Sequence, residues 1–361
     1  LVGSEMCIRD RFLIPIVLFV FKNRFEYVGD EYLSKDQCNA IKGLLAILVV
    51  LTHIVARITS GILLRNIFSY FGYLCVSGFF FFSGYGLVVS YHLKGQKYAV
   101  RLLKKSVMLL ALYGVYSVIY YACLEHYGLK EIAARFLTGE TIAIHSWYIV
   151  EIILFYVAFA LSLLICKNEK QIVAFNSIVT VLFMGCAIWM RWGDYWYISS
   201  LCYPLGMLWC EHRDYLDVKI LQDKKKNLLA LLLSFLLFAL AFCVSGILKF
   251  KACDIIWLRN AVKGICSVTF GIFLVLLMTR IRFQSVVLQY LGYWSLDIYL
   301  CHGLFEHLLK DIIQSDFLFG LCVLLCSVVF AFLFCTARSM VWKIMNKYHR
   351  RKDVDSQSNV Q

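Results

Sequence analysis

Apolar residues run through this chain in unbroken stretches of about twenty, separated by short polar connections. Neither the alternation of a half-buried strand nor the one-sided stripe of a soluble helix is present. Wound as helices rising 1.5 Å per residue, such stretches match the roughly 30 Å hydrocarbon core of a bilayer. Ten spans are read at 41–60, 69–91, 106–124, 145–166, 171–190, 195–211, 228–248, 258–279, 287–306 and 318–337. A further apolar segment, 12–21, is too short to span. It reads as the stump of a truncated helix, an interfacial segment or part of a signal sequence. The pattern predicts an all-α, polytopic integral membrane protein with about ten transmembrane helices, or eleven if the N-terminal stump counts. A β-barrel is excluded because its strands alternate in segments of about ten residues. Only Pro15 and Pro204 are present to interrupt helices.

Composition agrees. Of 361 residues, 61% are hydrophobic and 16% charged, and the mean hydropathy is +0.74. A soluble chain would be roughly 45–50% apolar. The net charge of +13 could suggest nucleic acid. The basic residues, however, sit in short runs between apolar stretches, as cytoplasmic loops do, so no nucleic-acid partner is expected. Alternate connections hold 23 Lys and Arg on one side and 9 on the other. That imbalance makes both ends of the core cytoplasmic and predicts a multi-pass protein of the plasma membrane. The 15 cysteines lie mostly inside apolar segments with no C-x-x-C pair. They read as small core residues, and no metal site or disulfide framework is expected.

Four segments follow. Residues 1–11, LVGSEMCIRDR, resemble a translated sequencing-adaptor fragment and are set aside. Residues 12–40 hold the apolar stump and a cytoplasmic lead-in, 41–337 form one membrane domain, and 338–361 form a basic and then polar cytoplasmic tail. No repeat of fixed period is found. The oligomeric state is left open, with a homo-oligomer as one outcome.

Ionisable residues inside a bilayer are functional candidates by default. Lys42 and His53 stand eleven residues apart in IKGLLAILVVLTHI. That spacing is about 16 Å of rise and about 20° of rotation, so they share one helix face. The plain alternative is a snorkelling lysine and a histidine bonded to a neighbouring helix. In YLGYWSLDIYLCHGLFE, Ser295, Tyr299, His302 and Glu306 form a polar stripe on an apolar helix. Asp297 points elsewhere and needs its own partner. His53, His302 and Glu151 fall at similar depth on three different spans, in the half away from the cytoplasm. An interhelical hydrogen-bond network that holds the bundle together is the alternative. In SGFFFFSGYGL, small residues including Ser83 and Gly84 permit close helix packing. The run after it carries Lys94, Lys97, Arg101, Lys104 and Lys105, which suits anionic lipid or a phosphorylated donor, or simply sets topology.

Lys42-Gly43 followed by His53, FFFFSGYGL, HSWYI and GYWSLDIYLCH together resemble the acyltransferase-3 family of integral membrane acyltransferases, over roughly residues 40–337. The resemblance implies transfer of an acyl group, often acetyl, from cytoplasmic acyl-CoA to sugars of cell-surface glycans. Where the family has Arg, ten residues and then His, this chain has Lys42, a point charge in place of a planar fork. His53 matches the family's proposed catalytic histidine, and the resemblance places Ser83, Gly84, Trp147, Tyr299 and His302 around the site.

The expected enzyme is thus an O-acyltransferase using acyl-CoA as co-substrate, with no tightly bound cofactor and a glycan acceptor, cell-surface or lipid-linked. His53 would be the general base, since an imidazole titrates near neutrality. Glu151 or Asp297 would orient it, and Tyr299 and His302 would donate to the thioester carbonyl or the acceptor. Lys42, Arg101, Lys104 and Lys105, with Ser83 and Gly84, would bind the donor, and Trp147, Ser295 and Asp297 the acceptor. The competing function is a transporter or exporter of an anionic small molecule or lipid-linked sugar. Against it stands the lack of inverted-repeat symmetry and of paired Gly/Pro-broken spans. A non-catalytic scaffold would not need so many convergent ionisable groups.

Overall fold

The computed structural model describes residues 24–57, 71–124, 128–250 and 255–358. The adaptor-like segment 1–11 and the apolar stump 12–21 lie outside them. The long helices are α1 (Lys35–Arg57), α2 (Phe71–Lys94) and α3 (Tyr98–Cys123). After the short α4 (Leu129–Leu137) come α5 (Trp147–Ile165), α6 (Glu169–Trp189) and α7 (Cys202–Glu211). The rest are α8 (Lys224–Phe250), α9 (Ile256–Met278), α10 (Val286–Tyr293), α11 (Ser295–Leu309) and α12 (Asp316–Ser358). Two-residue strands β1 (Arg24–Phe25) and β2 (Ile281–Arg282) pair antiparallel.

Among the described residues, 7 helical stretches are long and apolar enough to cross a membrane, α2 and α3 counting together as one. Their outer faces are apolar. On α8, Leu232, Leu236 and Leu240 are all more than half exposed. A surface of that kind suits lipid, where backbone groups satisfied inside helices meet no water.

Two expected spans take a different form. Span six, read at 195–211, is helical only over the 10 residues Cys202–Glu211. Pro204 stands in the first turn, where its missing N–H would have had no helical partner. The chain before it, from Gly193 to Leu201, turns instead, with Trp196 N–H donating to the Gly193 carbonyl at 3.1 Å and Ser200 N–H to that of Tyr197 at 3.4 Å. Span nine, read as continuous, breaks at Trp294 between α10 and α11. There the Ser295 hydroxyl donates to the Gly292 carbonyl at 2.8 Å, supplying a partner at the break. The expected cytoplasmic connection also shrinks. Helix α3 begins at Tyr98, so Arg101, Lys104 and Lys105 lie on a helix and not in a loop. The expected polar tail continues α12 to Ser358.

Helix α1 packs against α2, α10, α11 and α12, which places the faces of Lys42 and His53 inside the bundle. The α2–α7 crossing is closest at Gly84 and Gly206. A Cβ on Gly84 would strike the Tyr203 carbonyl, and one on Gly206 the Phe81 carbonyl. The two glycines let backbone meet backbone. At the end of the bundle where α1 begins, Tyr32 donates to Asp217 at 3.1 Å and accepts from the Trp209 indole at 3.0 Å. Burial pushes the Tyr32 phenol up. It also raises the Asp217 carboxyl, with Arg213 beside it pulling the other way.

Candidate active site

The opposite end of the bundle gathers three imidazoles. His53 comes from the last turns of α1, His302 from the middle of α11, and His145 from the connection before α5. The His53 and His145 rings stack with centroids 3.8 Å apart. His302 lies 5.1 Å from His53 and 5.6 Å from His145. His145 adopts φ +64°, the left-handed region that a side chain bearing Cβ rarely occupies and that clusters at functional sites. Two contacts hold it there. The Tyr299 hydroxyl donates to the His145 carbonyl. Gly303 lets the loop lie against α11, since a Cβ there would come 3.1 Å from the Ile144 carbonyl and 3.3 Å from the His145 ring.

Glu306, one turn beyond His302, is buried at 2% exposure. One of its oxygens accepts from the Arg57 guanidinium. The other lies 3.3 Å from His145 Nε2, an ion pair when that ring is protonated, and neither atom has a further hydrogen-bond partner among the described residues. Arg57 also reaches His307 Nε2 at 3.0 Å. His302 Nδ1 sits 2.7 Å from the Tyr299 carbonyl. A carbonyl only accepts, so Nδ1 carries the proton and, in the neutral ring, Nε2 keeps its lone pair. That Nε2 is buried without a partner among the described residues. In that tautomer the free Nε2 of His302 offers a lone pair toward the cluster.

The cluster opens on a cavity of about 650 Å³ lined by His53, Arg57, Tyr120, Arg135, Glu140, His145, Trp147 and Tyr195, among others. His53 reaches the cavity, whereas His302 is fully buried behind it. Trp147 forms part of an aromatic wall, 5.8 Å from the Tyr195 ring and 6.1 Å from that of Trp196.

The remaining candidates divide. Glu151 is buried and accepts from the Ser200 hydroxyl at 2.5 Å, outside the histidine cluster. Asp297 accepts both nitrogens of the Arg338 fork at 2.9 Å and the Tyr116 hydroxyl at 3.2 Å. Ser295 serves the helix break. The Ser83 hydroxyl lies 3.2 Å from that of Tyr148, whose ring packs 5.6 Å from Tyr299, while Gly84 is a packing position. Lys42 Nζ sits 5.9 Å from the Phe82 ring centre and Lys105 Nζ 4.7 Å from that of Tyr156. Arg101 and Lys104 are exposed. His145 and Arg57 were not singled out by the sequence reading, and Glu306 was seen only as part of a stripe. Both signals were available, since His145 opens the HSWYI motif and Arg57 follows His53 by four residues, on the same face.

His53, His145 and Glu306 bring three ligand atoms within 4.8 Å of one another, a set that could hold a metal ion. Arg57 already occupies Glu306, so a divalent cation would confront a guanidinium at the same carboxylate. A metal at this set would therefore share its carboxylate with Arg57.

A family model described as an acyltransferase domain matches residues 36–337. Searches of the curated proteins and of the solved structures matched no relative.

Proposed function

The chain belongs to the acyltransferase-3 family, and from that premise we propose that it transfers an acyl group, acetyl in the simplest case, from acyl-CoA to a glycan hydroxyl inside the cavity. The observation that carries this reading is the meeting of His53 with His145, His302 and the Arg57–Glu306 pair on the wall of an aromatic cavity. His53, which matches the family's proposed catalytic histidine, lines the cavity, so it takes the proton of the acceptor hydroxyl as the oxygen attacks the thioester carbonyl. Glu306, the carboxylate of the cluster, stabilises the imidazolium that results. Arg57, held by Glu306 and His307 at the cavity edge, lies where a cation would stabilise the developing oxyanion. Collapse of the tetrahedral intermediate expels CoA thiolate, which takes the proton back from His53.

Trp147, Tyr195 and Tyr120 offer flat apolar faces, and Arg135 and Glu140 offer polar edges, which together suit a sugar ring. The lysines Lys42 and Lys105 lie toward the end of the bundle where the charge count puts the cytoplasm, which suits the phosphates of a donor entering from there. Donor and acceptor then meet within the membrane, at the plasma membrane of the cell.

Purified protein incubated with acetyl-CoA and candidate oligosaccharides tests this. Free CoA release that rises with the oligosaccharide, and acetyl ester on the sugar, are expected. Movement of intact sugar across vesicles without CoA release would favour transport instead.

A further inference from the structure

A second cavity of about 1200 Å³ opens on the side of the bundle between α6 and α9. Its origin lies in the shortened span six. Ten residues of α7 rise only about 15 Å, half of the hydrocarbon core. The remaining half of that lane is filled by the turns before Cys202, which leave α6 and α9 apart. The groove is lined almost entirely by apolar side chains, among them Ile188, Ile256, Trp257 and Ile265, each more than half exposed toward the surrounding bilayer. Among the described residues its one cationic lining residue is Arg191, which sits at the end of α6 in the left-handed conformation, φ +56°. The Arg191 side chain makes no hydrogen bond or ion pair among the described residues.

Groove and catalytic cavity share a wall. Trp192 lines the groove and Trp147 and Tyr195 line the catalytic cavity. Trp196 stands between them, 4.6 Å from Trp192 and 6.1 Å from Trp147. The two cavities are thus separated by the thickness of a few stacked rings, at the same end of the bundle.

We propose that this groove seats the hydrocarbon chain of a phosphate-headed lipid that carries the acceptor sugar, with the phosphate on Arg191 and the sugar reaching over the aromatic wall into the catalytic cavity. This rests on the acyl-transfer function above. A long apolar slot facing lipid, the Arg191 cation at its rim and a reaction cavity across one wall match the three parts of such a molecule: chain, phosphate and sugar. The groove makes the enzyme one that acylates its acceptor while the acceptor is still anchored in the membrane.

The test uses the full chain in detergent micelles with two photoactivatable probes, farnesyl phosphate and farnesol, each bearing a diazirine on the chain. Wild-type protein is expected to be labelled within 184–201 and 255–269, with the phosphate probe favoured roughly fivefold, as one interfacial cation supplies. Arg191→Gln should abolish that preference while leaving groove labelling by farnesol. Gly264→Trp should remove groove labelling by both probes, because only the Ile198 carbonyl, 3.9 Å away, stands near a Cβ at Gly264 and the indole would fill the slot. Ala261→Phe provides a second obstruction should Gly264→Trp fail to fold. Labelling spread evenly around the bundle, or unchanged by either obstruction, would overturn the proposal. So would complete displacement of the phosphate probe by an equimolar amount of dioleoylphosphatidylglycerol, which would assign the groove to bulk lipid. Acetyl transfer to a soluble oligosaccharide by wild-type protein is read separately, so loss of the acyl-transfer function itself would be seen there and not in the labelling.

Discussion

Helix α11 carries two buried carboxylates, Asp297 and Glu306, about 14 Å apart along its axis. Each faces an arginine, yet they are placed for different work. Asp297 is saturated. The Arg338 fork takes both oxygens, and Tyr116 donates to one of them. Its partners fasten α11 to α3 and α12. Glu306 is left incomplete. Arg57 engages one oxygen, while the other lies beside the His145 imidazole, next to a second imidazole whose Nε2 has no hydrogen-bond partner among the described residues. A buried polar group without its hydrogen bond is costly in a static fold and useful where a proton must move. Saturation marks the fastening end of this helix, and under the proposed function the unfilled valences mark the end that handles the proton.

The largest expected effect is at the reactive end. A positioned general base is worth about 10²–10⁴-fold in rate. His53→Ala should therefore lose at least about 10²-fold in kcat while the purified protein stays monodisperse. His53→Gln should do no better, since an amide can hold a hydrogen bond but cannot take the proton. A Gln variant within a few-fold of wild type would move the base to His302.

At the saturated end, Asp297→Ala should act on folding. Removing one partner leaves the half-buried Arg338 guanidinium and the buried Tyr116 hydroxyl without their acceptor, which costs about 1–3 kcal/mol. A lowered thermal midpoint is expected, with near-normal turnover per folded molecule. Asp297→Leu combined with Arg338→Leu should recover part of the loss, because replacing both charges removes the stranded one. No recovery would give Asp297 a role beyond fastening the helices.

Lys42 tests the far end of the proposed path. Lys42→Met keeps the volume and removes the charge, so the KM for acetyl-CoA should rise, by roughly tenfold for the loss of one phosphate contact. Lys42→Arg should match or improve on wild type. Equal KM for lysine and methionine would reduce this residue to an interfacial anchor.

The smallest effect concerns Asp217, outside the spans. Burial raises its pKa above the ordinary 3.8. The folded state therefore holds that proton more tightly than the unfolded chain. Stability from this group is fully present below the ordinary value and is lost as pH rises through the folded value. Asp217→Asn should flatten the thermal midpoint just above pH 4 by less than about 1 kcal/mol, since the site is partly solvated. An unchanged profile would mean that Arg213 cancels the burial.

Much of this was legible in the sequence. Apolar run length located the long helices, and the spacing of Lys42 and His53 put both on one face of α1. Of the stripe Ser295, Tyr299, His302 and Glu306, the last three lie beside the His145 loop and Ser295 serves the helix break, and Asp297 did need a partner of its own. What stayed hidden depended on tertiary contact. His145 belongs to a connection, where no helical period exists to relate it to His53. Nothing in the local pattern says that Glu151 would meet Ser200, or that Trp294 would interrupt a run of apolar residues. Pro204 carried a signal for the late start of α7 that the reading of 195–211 as one span passed over, because proline belongs in a first turn and not in mid-helix.

The most direct test of the division along α11 measures two variants side by side, Glu306→Gln and Asp297→Asn, each for acetyl transfer and for thermal midpoint on the same preparation. Glu306→Gln is expected to lose at least about tenfold in kcat, as loss of a charge supporting the catalytic base would cause, with its midpoint close to wild type. Asp297→Asn is expected to lose midpoint and keep its turnover. The reverse pattern, with Glu306→Gln active but unstable and Asp297→Asn stable but inactive, would contradict the account.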